Sequence, residues 1–221
     1  MRTVKVIGLG LWIGLLSTLV PGVFAQQGMD QININGQYVL AAKAGRIERV
    51  VALLQAGAKV NSRDRNGDSP LNLATAKGNL ALVDVLLQAN ADVNLANVAG
   101  VTPLMGAAFS ANAEIVHKLL AAGAAVNPVD RVRKNAATYA AGNGCRDCLL
   151  ALIRAGTQVN AALENELTLL MWAAAYGHES TVRLLLAQGA DRQLKDRRGK
   201  TALDMAREGR HMNVVQVLEE P

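Results

Sequence analysis

The chain has 221 residues, a formal net charge of +5, 51% apolar residues and only 3% aromatics. That apolar fraction excludes wholesale disorder, and the shortage of rings means that Ala, Leu and Val must fill the core, which favours closely stacked helices over a β-sandwich. The mild basic excess, 23 Lys+Arg against 18 Asp+Glu, is not the concentrated basic face of a nucleic-acid binder, and no nucleic-acid partner is expected.

The chain opens with Arg2 and Lys5, followed by an apolar run from Val6 to Val20, then Pro21-Gly22 and Val23-Phe24-Ala25. A basic start, an apolar stretch, a helix breaker and a small residue at the exit are the layout of a secretory signal peptide, here residues 1–25 with cleavage after Ala25. No Cys stands near the exit to take a lipid, so a membrane contact is expected only if the leader stays uncut. Removing residues 1–25 leaves 196 of the 221 residues and takes away two cations, which lowers the net charge to +3. Residues 26–34 form a short lead-in, and the remainder, 35–221, is read as one domain.

That domain repeats every 33 residues. Gly57-Ala58, Asn90-Ala91, Gly123-Ala124, Gly156-Thr157 and Gly189-Ala190 keep the interval without a slip, and so do Ser69-Pro70, Thr102-Pro103, Asn135-Ala136, Thr168-Leu169 and Thr201-Ala202. The period defines about six units, the first and last expected to act as caps. In units two, three, five and six a Ser or Thr caps a first helix, with Pro at its first position in two of them, where a missing N–H costs nothing. A second helix carries an apolar stripe such as Val83, Leu86 and Leu87, and Gly at its end closes it. No such pair can bury its own stripe, so neighbours must stack into an all-α repeat solenoid.

Arg63-Asp64-Arg65-Asn66-Gly67-Asp68-Ser69-Pro70-Leu71, Gly100-Val101-Thr102-Pro103-Leu104 and the helix signals Ala107-Ala108, Ala173-Ala174 and Gly177-His178 resemble the ankyrin repeat. The resemblance implies a curved stack of helix–loop–helix units with β-hairpin fingers, no enzymatic activity and no cofactor. It also implies protein binding through finger tips and the concave face of the first helices. The chain departs from the family where His is usual after Thr-Pro-Leu: Asn72, Met105, Thr138, Met171 and Asp204 stand there, which is expected to weaken hydrogen bonding between repeats. The fourth unit, Arg133-Lys134-Asn135-Ala136-Ala137, lacks the turn Gly and the Pro, and Glu166 replaces the finger Gly of the fifth.

The fingers supply the candidate partner-binding residues. Arg65, Asn66 and Asp68 lie on one; Arg131, Val132 and Lys134 on another; Arg197, Arg198 and Lys200 on the last. Between them come Val98, Ala99 and Val101, whose apolar character serves no solubility purpose on a projecting loop, and Glu164, Asn165 and Leu167. Phe109 and Tyr176, which the resemblance puts on the concave side, are expected aromatic anchors. Trp172 is read as a packed core ring rather than an anchor. His178 and His211, one repeat apart, are expected to serve the turn or cap rather than a metal, and no metal site is expected. Cys145 and Cys148, three apart at the start of a second helix, are expected to pair as a local disulfide; a thiol-redox role is the alternative of a different class.

The resulting expectation is a monomeric, non-enzymatic interaction module, periplasmic or secreted, that binds a folded protein with an acidic-rimmed surface. It would support an exported or stress-protective enzyme; the alternative is an immunity protein that neutralises a toxin in the same compartment.

Overall fold

The computed structural model describes residues 33–220, so the expected leader and residues 26–32 of the lead-in lie outside the described residues. Six helix pairs follow one another. Helix α1 (33–43) pairs with α2 (Ile47–Gln55), α3 (Pro70–Ala76) with α4 (Leu80–Gln88), and α5 (Pro103–Phe109) with α6 (Ala113–Ala121). Then come α7 (Ala136–Gly142) with α8 (Arg146–Arg154), α9 (Leu169–Ala175) with α10 (Glu179–Ala187), and α11 (Ala202–Glu208) with α12 (Met212–Glu219).

The first helices of units two to six have only seven residues, too few to persist alone in water. Their starts are fixed locally. The side chains of Ser69, Thr102, Asn135, Thr168 and Thr201 each accept a hydrogen bond from the backbone N–H three residues on, and Pro70 and Pro103 preset the first helical φ. The rest of their stability comes from stacking. Helices α3, α5, α7, α9 and α11 pack in sequence to form one layer, and α2, α4, α6, α8, α10 and α12 form the second. Between the layers Leu82, Leu86, Ile115, Leu119, Leu149, Leu152 and Leu185 are fully buried, each worth about 1.5–3 kcal/mol. Small residues let the first layer close up. A Cβ on Gly106 would lie 2.7 Å from Thr75 Oγ1 and 3.1 Å from the Ala76 nitrogen, so α5 approaches α3 to a distance only Gly permits.

The described residues contain no strand, so the expected β-hairpins are corrected to tight turns. Two backbone bonds close each finger: Asp64, Asn97, Asp130, Leu163 and Asp196 each donate N–H to the carbonyl four residues on and accept at their own carbonyl from the N–H three residues on. Two bonds are too few for a ladder, and side chains do the remaining work. Asp64, Asn97, Asp130 and Asp196 each use Oδ1 to accept the N–H groups two and four residues ahead, at 2.8–3.0 Å. Leu163 holds the equivalent place in the fifth finger and has no oxygen to offer. There the chain winds instead into a 3₁₀ turn, Glu164–Glu166, with Asn165 and Glu166 at φ of 57° and 63°.

Hydrogen bonding between repeats is not weakened everywhere the usual His is missing. Asn72 Oδ1 accepts from the Ser69 N–H while its Nδ2 donates to the Val101 carbonyl of the next unit at 3.1 Å. Met105 and Met171 are buried at the same register and fill space there. A second series of bridges comes from Asn61, Asn94 and Asn160, whose Oδ1 atoms accept from the N–H of Asp92, Ala125 and Asp191.

Candidate functional site

Five aromatic residues lie among the described residues, and four of them meet on the layer of first helices. Phe109 ends α5, Tyr139 lies in α7, Trp172 in α9, and Tyr176 caps the end of α9. The periodicity places them. Tyr139 and Trp172 share one register position a repeat apart, so their rings line up along the stack, and Phe109 shares its register with Gly142. Phe109 meets Tyr139 edge to face with centroids 6.0 Å apart, and Trp172 stacks on Tyr176 at 6.0 Å and 7°. Between the two pairs runs an open groove of about 150 Å³, walled by these rings with Lys134, Thr138, Gly142 and Asn143. Phe109 and Tyr176 remain 58% and 56% exposed, which is unusual for rings that have neighbours to pack against.

The groove is built rather than incidental. Lys134 extends its ammonium over the indole of Trp172, 4.3 Å from the ring centroid, and lies 5.7 Å from that of Tyr139. The backbone of Lys134 is held by Asp130, whose buried carboxylate accepts the N–H of Val132 and of Lys134 through Oδ1. Asp130 Oδ2 accepts the Tyr139 hydroxyl at 2.5 Å. Burial and then that hydrogen bond hold the Tyr139 phenol well above its ordinary range, so it remains a donor at any physiological pH. At the back of the groove His178 Nε2 bonds the Gly142 carbonyl at 2.9 Å and the His178 ring stacks on Tyr176. Gly142 leaves the groove floor open: a Cβ there would touch Trp172 and Tyr176 only at ordinary contact distances of 3.7–4.0 Å.

The other candidate residues are distributed differently. Arg65, Asn66, Val98, Ala99, Arg131, Val132, Asn165, Arg197 and Arg198 are exposed on the fingers; the side chain of Glu164 lies outside the described residues. Asp68, Val101 and Leu167 are structural. Asp68 accepts from Asn97 Nδ2 at 2.7 Å, the Val101 carbonyl takes the Asn72 amide, and Val101 and Leu167 pack on the core. Arg198 is tied to buried Asp196 at 2.9 Å, and Lys200 pairs with Glu208. Val98 and Arg131 are fixed by their backbones, their N–H groups donating to Asn66 O and Ala99 O of the preceding fingers.

Trp172 packs against the core as expected but only half-buried, and it also turns a face to the groove, where the Lys134 ammonium lies over it. His178 and His211 do not cap their own helices; each reaches back one repeat, to the carbonyls of Gly142 and Ala175. Tyr139 was not singled out from sequence, although its register with Trp172 was there to be seen. The sulfurs of Cys145 and Cys148 lie 1.98 Å apart as a disulfide across the first turn of α8. Cys145 Sγ also accepts the Cys148 N–H at 3.3 Å, so the pair caps the helix as Asn79 and Asn112 do in α4 and α6.

The family model for ankyrin repeats, in three copies, matches residues 38–130 and 137–220. The chain belongs to the ankyrin-repeat family. As an ankyrin-repeat protein it is an interaction module. A curated relative, the E3 ubiquitin-protein ligase hecd-1 of Caenorhabditis elegans, is 47% identical over 55 residues. That match covers 24% of this chain and 2% of the ligase, so this ankyrin stack spans only a sliver of that relative's length.

Proposed function

We propose that this ankyrin-repeat chain is a non-catalytic binding module, exported to the periplasm, which grips a folded protein partner across the aromatic groove and the neighbouring fingers. The observation that carries the reading is the gathering of Phe109, Tyr139, Trp172 and Tyr176 on one face, with two of the rings more than half exposed. Aromatic anchors on a rigid, preorganised frame concentrate binding energy and lose little entropy on association. Export is supported by the charge and hydropathy pattern of residues 1–25, and the Cys145–Cys148 pair suits an oxidising compartment. Support of an exported, stress-protective enzyme is the role we assign to the binding.

The test is affinity capture after crosslinking in the producing cells, with N-terminal sequencing of the recovered chain. Wild type is compared with Phe109→Ala/Tyr176→Ala on the first-helix layer and Arg146→Glu/Arg154→Glu on the second. One stoichiometric partner is expected with wild type and with the arginine variant, and at least about tenfold less with the aromatic variant. Equal recovery by all three would remove the groove from the reading, and an N-terminus at Met1 would remove cleavage of the leader.

A further inference from the structure

The groove has a size and a charge, and together they restrict what enters it. Its volume, about 150 Å³, matches a cavity that admits a benzene-sized group, so it takes one branched or ring-shaped side chain rather than a helix face. Lys134 is the charged side chain among the described residues that line it, and it stands on the face of Trp172. That ammonium already occupies the position a cationic ligand would take, and it would repel a Lys, an Arg or a quaternary amine brought to the same indole. The neighbouring carboxylate, Asp130, keeps its charge but is buried in the turn with its oxygens bonded to Val132, Lys134 and Tyr139, so it offers a ligand no free acceptor, and the finger's cations outnumber it. On the same finger, within three residues of Lys134, Arg131 and Arg133 are exposed and add two cations to this end of the site.

We infer that the groove receives an extended acidic segment of the protein partner, one aliphatic or proline side chain entering between the rings and an adjacent carboxylate meeting Lys134. Aromatic walls suit an extended backbone carrying such a side chain, because flat rings cover it with little rotamer entropy lost on either side. Lys134 supplies orientation: a carboxylate next to the anchor is drawn to it, while a basic neighbour is turned away. Gly142 keeps the slot empty, and its backbone is pinned by His178, so the floor does not rise to close it. This inference rests on the proposed binding role and names the chemistry of the partner at that site.

The sequence provides a direct probe, since Trp12 and Trp172 are its two tryptophans. In the full chain carrying Trp12→Phe, indole emission reports the groove alone. Three blocked hexapeptides are titrated: Glu-Asp-Leu-Pro-Asp-Glu, its basic counterpart Lys-Arg-Leu-Pro-Arg-Lys, and Glu-Asp-Gly-Gly-Asp-Glu. The first is expected to shift the emission saturably and the other two to leave it unchanged. Lys134→Glu is expected to weaken that binding by at least about fivefold. Gly142→Leu, which fills the slot from its floor, is expected to abolish it, with circular dichroism and melting confirming that both variants fold. The inference is overturned if the basic peptide binds as well as the acidic one, if neither variant changes the acidic titration, or if no peptide saturates. Failure here with Phe109 and Tyr176 still needed for partner capture would refute the acidic segment and leave the binding role standing; capture indifferent to both rings would refute the binding role itself.

Discussion

Asp130 links the architecture of a finger to the geometry of the groove, and its removal is the most informative perturbation. Its carboxylate is buried and accepts three hydrogen bonds: from the Val132 N–H at 3.0 Å, the Lys134 N–H at 2.9 Å and the Tyr139 hydroxyl at 2.5 Å. Bonds to a charged acceptor contribute about 1.5–3 kcal/mol each, but the groups Asp130→Ala frees lie near the surface and regain water. The expected loss is therefore about 3 kcal/mol rather than the full sum. Asp130→Asn keeps an oxygen for the two N–H groups and is expected to lose about 1 kcal/mol, as is Tyr139→Phe. The double variant Asp130→Ala/Tyr139→Phe should show coupling of about 1 kcal/mol or more, since the two single changes break the same bond. Urea denaturation followed by Trp172 emission and by helical circular dichroism gives all four values. Repeat stacks can unfold in parts, so both signals must be fitted. Asp130→Ala within about 0.5 kcal/mol of wild type, or Asn as damaging as Ala, would refute this reading of the finger.

Further consequences follow from the same geometry. Gly106→Ala should destabilise by about 1–2 kcal/mol, because crowding against Thr75 outweighs the gain in helix propensity, whereas Gly142→Ala, which meets nothing closer than 3.7 Å, should stabilise; melting curves give the two signs. Glu166→Gly should raise stability by about 0.5–1 kcal/mol, since a left-handed φ of 63° strains a glutamate and not a glycine, and chemical denaturation reads it. The last repeat should weaken in acid. For Asp196, burial acts to raise the carboxyl, but bonds from the Lys200 N–H, the Arg198 side chain and the Arg198 N–H overcome it and hold it below its ordinary value; the N–H and hydroxyl of Thr201 do the same for Asp204. Depressed carboxylates contribute stability that is complete above the unfolded value of about 4 and is lost as pH falls through the lower folded one. Protection of the α11 amides from hydrogen exchange, corrected for the intrinsic rate at each pH, should therefore fall below about pH 4, and Asp204→Asn should flatten that slope.

The fold was legible because the repeat states its solution locally and often. A Ser, Thr or Asn recurs before each first helix from Ser69 to Thr201, and each caps it. The fingers were harder to read. Asp64, Asn97, Asp130 and Asp196 recur at the same interval, yet these side chains brace the turns beside two backbone bonds each, and a β-hairpin expectation overlooks that use of a side-chain oxygen. The groove was half visible: Phe109 and Tyr176 could be picked as exposed rings, but Trp172 looked like core. Its partial exposure owes something to Gly142, a residue thirty positions earlier in the chain, where even a Cβ would reach the indole at 3.7 Å. Asp68, Val101 and Leu167 mislead in the opposite sense, since polar or apolar character on a finger does not reveal that a neighbouring repeat or the core already holds it.

The most direct measurement is site-specific photo-crosslinking in the producing cells, with a photoreactive phenylalanine derivative placed at Tyr176 in one strain and at Arg154, on the opposite layer, in another. A discrete adduct with one protein from position 176 and none from 154 is the result expected of a binding module that works through the aromatic groove. An adduct from 154 alone, or none from 176 while the chain is folded and abundant, would contradict it.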